Sequence, residues 1–389
     1  FWNGTGGEVQ LFPRYMDAAL DILAVNAGIE SEYGYLNSAV CVYRYDNKTL
    51  DWVEEDVLVC SEGSHVPDRL ENIVSTDGIR IATKSFVNSK EGYYSAIDIF
   101  FYNGSDWVHE QTISGPSIND GIPPEVVWGC SFAIHGEVLA IGQPNLDHSD
   151  ETNGGGVHIY HFDSGEWGFV ETLLPWGDPP YPEGDDSLLG LSVSLTDTYL
   201  AAASERSVLV WDVSSGEAEE DGHLRDMNAN FFPRHGGTDL EGERLLTHVT
   251  YLNNAADEMG AKLFERVEGE WMMTDALIPF DHHSPDRAGY VVKLDGDLAL
   301  ITSPWDNDLG PKTGSAYVFE YKDDGDGMSW QLNAKLWSER AVAEDQFGLF
   351  GTLHNGSAYL SGSNELDTEG IKVFWPRGIA WTNPLGGNL

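Results

Sequence analysis

The 389-residue chain carries 64 Asp and Glu against 21 Lys and Arg, a formal net charge of −43 that repels phosphate backbones and anionic lipid and so disfavours nucleic-acid and membrane-surface roles. Its 43 Gly, 17 Pro, 13 Trp, 16 Tyr and 16 Phe suit short strands joined by punctuated turns, and no apolar run approaches the ~20 residues of a transmembrane helix. The acids are spread along the whole chain rather than gathered in a tail; this fits life in high salt better than weak binding of many cations.

In chain order one unit recurs seven times. The first, residues 9–60, follows a glycosylation sequon at Asn3-Gly4-Thr5. It reads as Phe12-Pro13-Arg14, a first strand, an x-Leu-Ala strand anchored at Leu23, and an alternating strand over residues 39–45 that ends in aromatics. A turn at Asn47-Lys48-Thr49, a second sequon, leads into a strand headed by Trp52. Cys41 and Cys60 flank that turn. Pairing about it sets Cys41 opposite position 55 or so, so a Cys41–Cys60 disulfide requires a bend after Val57 and stands as a candidate only. The second unit, residues 61–113, repeats the order with Ile81, residues 96–102, the sequon Asn103-Gly104-Ser105 and Trp107. In the third, residues 125–174, Cys130 is expected as a small buried residue, Leu139 is the anchor and Trp167 heads the closing strand. Its long loop holds Asp147 and Asp150, spaced either to share a calcium ion or to stand as solvated turn acids.

The connector over residues 174–182 (Leu-Pro-Trp-Gly-Asp-Pro-Pro-Tyr-Pro) either presents Trp176 and Tyr181 to a sugar or protein, or tucks them onto the frame. The fourth unit, residues 187–224 with Leu200 as anchor, departs most from the pattern. Its long loop shrinks to Ser204-Glu205-Arg206-Ser207, and an acidic stretch from Glu217 to Glu220 replaces the Trp. Losing that Trp removes roughly 1.5–3 kcal/mol of apolar burial, so a short or frayed outer strand is expected. A notch beside the connector would then place a partner site within reach of Trp176, Tyr181 and Arg206; drift in a blade nothing depends on is the alternative.

The fifth unit, residues 231–278, repeats Phe-Pro-Arg at Phe232-Pro233-Arg234, with Leu245 and Trp271. After it comes Asp281-His282-His283-Ser284-Pro285-Asp286, where adjacent histidines point different ways and argue against zinc. The sixth, residues 286–337 with Leu298 and Trp330, carries Trp305-Asp306-Asn307-Asp308 in its long loop. Trp305 is a candidate binding aromatic there, and Asp306 and Asp308 are a second pair of candidate calcium ligands. The seventh, residues 345–384, contains Gln346-Phe347-Gly348, the sequon Asn355-Gly356-Ser357 on a two-residue turn, Tyr359 and Trp381. The anchors recur on average about every 56 residues. Four antiparallel strands per unit, about 28 in all with almost no helix, give a single all-β domain over residues 1–389, a seven-bladed β-propeller of four-stranded blades.

These units resemble the FG-GAP repeats of the integrin α-chain propeller, and in particular a variant abundant in secreted proteins. The likeness rests on Gln346-Phe347-Gly348, on residues 138–144 (Val-Leu-Ala-Ile-Gly-Gln-Pro) and on residues 314–319 (Gly-Ser-Ala-Tyr-Val-Phe), and it covers nearly the whole chain. It implies the propeller fold and an extracellular, adhesive or binding role. Calcium-bound members of that family carry Asp-x-Asp-x-Asp-Gly-x-x-Asp between the first two strands. Here the joint is as short as Leu294-Asp295-Gly296-Asp297-Leu298, which cannot supply six oxygen ligands, so this is the variant without the calcium cages. No cofactor is expected beyond calcium held weakly by the Asp pairs.

In such a fold the first-to-second and third-to-fourth strand turns share one side, here uniformly short. The second-to-third loops and the connectors share the other and are mostly long, which is where function is expected. No G-x-S-x-G, H-E-x-x-H or nucleophilic Cys context is present. The expected function is therefore a non-enzymatic binding or structural module, secreted or at the cell surface. It would engage a protein or glycan through the long-loop side, alone or as a subunit of a larger extracellular assembly. The alternative is a glycosidase or lyase with acids converging in a central pocket. No signal-peptide core follows Phe1, so any targeting segment is expected either to have been removed or to lie outside this sequence. Glycan is expected on Asn47 and Asn103, with Asn3 and Asn355 as weaker acceptors.

Overall fold

The computed structural model describes residues 9–10, 15–30, 36–49, 51–60, 73–89, 92–117, 128–147, 153–175, 188–205, 207–225, 229–230, 237–251, 259–281, 286–323, 325, 327–338, 342–362, 371–377 and 380–382. The chain is an all-β, seven-bladed β-propeller of antiparallel sheets, and it divides into two compact units, Phe1–Gly190 and Leu191–Leu389.

The first unit holds three blades. Blade one is β1 (Val9–Gln10), β2 (Met16–Ala19), β3 (Ile22–Glu30), β4 (Leu36–Asp46) and β5 (Asp51–Val59). Blade two is β6 (Val74–Thr76), β7 (Arg80–Ser89), β8 (Gly92–Tyr102) and β9 (Trp107–Ser117). Blade three is β10 (Phe132–His135), β11 (Val138–Gln143), β12 (Gly156–Asp163) and β13 (Glu166–Leu173).

The second unit holds four. Blade four is β14 (Ser192–Leu195), β15 (Tyr199–Ala203), β16 (Ser207–Asp212) and β17 (Glu219–Arg225). Blade five is β18 (Ala229–Asn230), β19 (Thr238–Glu241), β20 (Arg244–Tyr251), β21 (Met259–Val267) and β22 (Glu270–Leu277). Blade six is β23 (Val292–Asp295), β24 (Leu298–Ser303), β25 (Ser315–Asp323) and β26 (Met328–Leu336). Blade seven is β27 (Phe350–His354), β28 (Ser357–Ser361), β29 (Lys372–Arg377) and β30 (Ala380–Thr382).

The described strands number 30 rather than about 28 because blades one and five have a divided inner edge. β1 and β2 both pair with β3, and β18 and β19 both pair with β20. The two Phe-Pro-Arg segments lie between these pieces, outside the described residues. Five anchors, Leu23, Ile81, Leu139, Leu200 and Leu245, are fully buried and stand opposite a third-strand aromatic. In blades six and seven the small residues Ala299 and Ala358 face Phe319 and Phe374 instead. Leu298 and Tyr359 are thus one residue out of phase with the other anchors, a slip that the alternating pattern of a strand permits.

Within each unit the apolar core lies between successive sheets. Ala82, Ile97 and Ile99 of blade two pack with Phe132, Ile134, Leu139 and Ile141 of blade three, and Leu263 of blade five packs with Ala299, Ile301 and Tyr317 of blade six. Each fully buried aliphatic side chain contributes roughly 1.5–3 kcal/mol. The Gly of the Phe-Gly-type dipeptide fixes this spacing. Gly348 has a φ of 85°, and a Cβ on it would lie 2.7 Å from the carbonyl oxygen of Ser315 in the preceding blade.

A second device ties the outer strands together. In six blades the third and fourth strands slip register by one residue, leaving a bulged residue on the outer strand: Glu55, Glu110, Val170, Asp221, Thr274 and Asn333. Where that residue is acidic, the Trp of the following blade donates its indole N–H to it: Trp107 to Glu55 at 2.9 Å, Trp167 to Glu110 at 2.8 Å and Trp271 to Asp221 at 2.7 Å. An arginine completes each set, Arg44 at 2.8 Å from Glu55, Arg80 at 3.0 Å from Glu110 and Arg266 at 2.8 Å from Asp221. Val170 precedes the one blade whose sequence lacks the Trp. Trp330 follows Thr274, and its indole nitrogen is buried without a hydrogen-bond partner.

Blade four corrects half of one expectation: at seven residues β17 is the shortest outer strand of the first six blades, as expected, but it is well paired. β17 is not frayed: its seven residues pair along the whole of β16 with the usual bulge, because the ladder does not need the Trp and Asp221 is anchored by Trp271 and Arg266. The net charge of −43 remains a cost spread over the surface. Raising sodium chloride from about 0.1 M to about 1 M shortens the Debye length from about 10 Å to about 3 Å. The melting temperature is therefore expected to rise by several degrees in a salt series at fixed pH. A steady fall would mean that screening of the ion pairs outweighs relief of repulsion.

Candidate functional site

The richest polar cluster among the described residues lies in blade six. The chain leaves β24 at Ser303, turns through residues 304–314 and enters β25 at Ser315. This loop is pinned at its base: the Ser303 hydroxyl donates to the Asp286 carbonyl at 3.0 Å, and the Trp305 amide donates to the same oxygen at 3.0 Å. Asp306 is thereby turned inward and buried, and its carboxylate accepts from the Asp308 amide at 2.8 Å and the Ser315 hydroxyl at 2.6 Å.

Lys335, on β26, reaches this carboxylate. Its Nζ lies 2.8 Å from Asp306, 2.7 Å from Asp308 and 2.9 Å from Asp281, the last contributed by the segment after β22. The hydroxyl of the fully buried Tyr317 stands 2.9 Å from Asp281 Oδ1 and 3.2 Å from Asp306 Oδ2. Burial alone would push the Asp306 carboxyl up, but hydrogen bonds from Lys335, Ser315 and the Asp308 amide together hold it below the usual range. Burial would likewise lower Lys335, and the bonds to Asp306, Asp308, Tyr317 and Asp281 raise it well above an ordinary lysine. Burial pushes the Tyr317 phenol up. Asp306, Lys335 and Tyr317 are thus locked in their usual charge states at neutral pH, an arrangement that holds a loop in shape rather than moving protons.

Beside the cluster, the Arg287 guanidinium lies 3.5 Å over the Trp305 ring and Lys312 Nζ is 5.1 Å from its centre. Lys312 also pairs with Glu344 at 2.9 Å. Arg287 has a left-handed φ of 57°, a feature repeated at Leu188 and Gln346, which likewise stand two residues before a glycine, and so belongs to the blade framework. Around this polar centre, large apolar side chains face solvent: Phe280 is 78% exposed, Leu309 51%, Trp337 46% and Val342 46%.

The candidate calcium ligands Asp306 and Asp308 are thus brought together, on an ammonium. Among the described residues no group of three or more His, Cys, Asp or Glu side chains is arranged to hold a metal ion. Asp147 caps its own loop, accepting from the Asn153 amide at 2.9 Å. Trp176, Tyr181, Arg206, Asp150, Asn3, His282 and His283 lie outside the described residues. Asn47 and Asn103 are exposed on equivalent turns, and Asn103 Oδ1 accepts from the amide and hydroxyl of Ser105 at 3.0 Å each. The Asn355 side-chain amide is instead engaged by His354 at 3.0 Å.

The Cys41–Cys60 bridge is not formed: all three cysteines are free and buried. The bulge at Glu55 sets Cys41 opposite Val57 and Ala39 opposite Val59, so Cys60 lies past the paired strand. Its thiol is pushed well above the ordinary value by burial and by Asp98, to which it donates, so it is inert as a nucleophile. His158 is pushed down to about 4 by burial. Gln143 Oε1 can only accept, so at neutral pH Nε2–H donates to it at 2.8 Å while Nδ1 receives the Thr172 hydroxyl at 2.8 Å.

Sequence reasoning singled out Asp306, Asp308 and Trp305, weighed Asp281 only within a zinc set that it argued against, and missed Lys335, Tyr317 and Arg287. A lysine on a Trp-headed strand, where the other closing strands offer mostly acids and apolar residues, was the available signal.

A family model of the FG-GAP repeat matches residues 271–319, from the Trp-headed strand of blade five into β25. No curated protein matches the chain. Among solved structures, a protein from Lactobacillus plantarum is 14% identical with a TM-score of 0.54, covering 95% of this chain and 92% of that one. The β-propeller domain of the Trilobed protease from Pyrococcus furiosus is 10% identical (TM-score 0.41; 80% and 83% covered). PorZ of Porphyromonas gingivalis, a bacterial surface component of the type-IX secretion system, is 10% identical (TM-score 0.44; 96% and 38% covered). The first of these likenesses is one of fold alone, and the other two are too distant to bear on this chain.

Proposed function

We propose that this propeller is a non-enzymatic extracellular binding module that holds a protein partner on the long-loop side of blade six. The observation that carries the reading is the exposure of Phe280, Leu309, Trp337 and Val342 around a rigid charged centre. Phe280 adjoins Asp281, Leu309 adjoins Asp308 and Trp337 is two residues from Lys335, so the salt-bridged cluster fixes the backbone that presents them. Apolar and aromatic anchors beside ordered polar groups are how interfaces concentrate binding energy. A protein is favoured over a glycan because the Arg287 guanidinium already covers one face of Trp305, the aromatic best placed in the loop to stack on a sugar. The buried Asp306 carboxyl, tied to Lys335 and held below the usual range, is not the raised-pKa acid that a glycosidase requires, which supports the non-enzymatic reading. Exposed sequons at Asn47 and Asn103 support an extracellular setting, with glycan at both.

The test is a comparison of partners cross-linked in the native source by the wild type, by Phe280→Ser/Trp337→Ser, and by Met328→Ser on a short turn. The double variant is expected to keep its melting temperature within about 2 °C and to lose at least tenfold in affinity for a partner that Met328→Ser retains. Equal binding by the wild type and both variants would overturn the placement.

A further inference from the structure

We propose that Phe169, Tyr160, Gln143 and Thr172 of blade three form a binding site for a neutral pyranose sugar, which stacks a C–H face on the Phe169 ring and sets its hydroxyls against the uncharged polar groups beside it. The site is built wholly within the first unit and shares no residue with the blade-six cluster.

Two departures from the repeat carry the inference. The third-strand aromatic that pairs with the second strand is buried in six blades, as Tyr43, Phe100, Trp211, Phe264, Phe319 and Phe374, whereas its counterpart Tyr160 is only half-buried. Two residues after the heading Trp, four other blades place Glu54, His109, Met273 and Leu332, but blade three places Phe169, which is 57% exposed. Phe169 pairs directly with Tyr160 across β12 and β13, so the two rings share one face of the sheet, with centres 5.6 Å apart and planes at 72°. His158 adds a third ring, 6.2 Å from Phe169. The phenyl ring is thus propped at its edge while much of it faces solvent.

The polar groups beside the rings are uncharged, which selects a sugar over an ion or a purely apolar segment. Burial holds His158 neutral at pH 7; its Nε2–H is spent on Gln143 Oε1 at 2.8 Å, and its Nδ1 receives the Thr172 hydroxyl at 2.8 Å. That leaves the Gln143 amide hydrogens as donors and the Thr172 oxygen as an acceptor. Among the described residues the Tyr160 hydroxyl and the Gln143 amide nitrogen have no protein partner, and neither is sealed from solvent. A pyranose offers the matching surface, with C–H groups on one face and hydroxyls around its edge. The net charge of −43 repels uronic and sialic acids, so the class is the neutral sugars.

Saturation-transfer NMR on the full chain tests this, with methyl galactoside, methyl glucoside, methyl mannoside and N-acetylglucosamine as probes. At about 10 mM at least one of them is expected to bind, with the Kd of about 1 mM that suits a shallow site. Glucuronate in about 0.1 M salt should bind about tenfold more weakly than that sugar. Phe169→Ser is expected to keep the melting temperature within about 2 °C, because the ring is mostly exposed, and to lose about tenfold in affinity. Tyr160→Phe keeps the second ring and removes only its hydroxyl, for a loss of about three- to tenfold. Phe280→Ser/Trp337→Ser should bind the sugar as wild type does, which separates this site from the one in blade six. Silence from all four neutral probes would overturn the proposal, as would full transfer in both Phe169→Ser and Tyr160→Phe, or a preference for glucuronate.

Discussion

Glu110→Ala is expected to destabilise the protein by about 3–5 kcal/mol, among the largest effects of any single side chain on the outer strands. Glu110 occupies the bulge of β9, where the extra residue of the outer strand is turned toward the following blade. It accepts from the Trp167 indole at 2.8 Å and from Arg80 at 3.0 Å, and the Arg80 and Glu110 side chains are only 11% and 12% exposed. Arg80 in turn lies 4.5 Å over the Phe162 ring and donates to the Gly136 carbonyl at 3.0 Å, so one carboxylate anchors a group that spans two blades. Alanine strands both a guanidinium and an indole N–H where water reaches them poorly. Trp167→Phe removes only the indole donor and is expected to cost about 1–2 kcal/mol. The double variant should show a coupling of about 0.5–3 kcal/mol in urea unfolding, read together with hydrogen exchange in β9 and β13, because a repeat array need not unfold in one step. Strict additivity would show that the indole and the acid act independently.

The architecture was legible because its causes are local and repeated. An x-Leu-Ala strand and an aromatic-ended strand, each flanked by turn residues, return seven times and a Trp-headed strand six, and each copy alone states the strand period. The bulge was not legible, since it arises from twist between the third and fourth strands, yet it leaves a trace in hindsight. The bulged residue is the third after the heading Trp in all five blades where both are described, at Glu55, Glu110, Val170, Thr274 and Asn333. An acid there goes with a Trp one repeat later, as Glu55 does with Trp107. That is a correlation between copies, invisible while each unit is read alone. The anchors at Leu298 and Tyr359 slipped by one residue because a run of apolar side chains carries no phase of its own.

The site was half legible for a similar reason. Asp306 and Asp308 stand two apart in one loop, so sequence alone brings them near each other. Lys335 and Asp281 reach them from strand ends 29 and 25 residues from Asp306, separations that only the register of β25 on β26 and the course of the chain after β22 can close. Blade four misled for the opposite reason. The missing Trp was read as a loss to its own outer strand, whereas in the blades where the indole is bonded it serves the preceding blade, as Trp107 serves Glu55.

Gly348→Ala is expected to cost about 3 kcal/mol and, unlike a loss at the outer rim, to disturb the candidate site as well. Two terms add. At φ 85° an alanine sits in the left-handed region, which costs roughly 1–2 kcal/mol. Its Cβ would also lie 2.7 Å from the Ser315 carbonyl oxygen and 3.2 Å from Thr302 Cβ, closer than such atoms approach. Ser315 cannot yield freely, because it is paired with Ser303 in the ladder of β24 and β25 and its hydroxyl donates to Asp306 at 2.6 Å. Any relief of the clash therefore moves the residue that holds Asp306 against Lys335. Gly325→Ala separates the terms, since Gly325 has a comparable φ of 96° and nothing within 4 Å of a built Cβ. It should lose only the conformational part, about 1 kcal/mol, and leave the site unaltered. In thermal unfolding the two variants should differ by about 2 kcal/mol, and the Trp305 environment, read by fluorescence against a Trp305→Phe reference, should change in Gly348→Ala alone. Equal losses in the two variants would mean that the blades part at this joint without strain, and that the Gly of the Phe-Gly dipeptide is retained for its backbone angle and not for the closeness of the sheets.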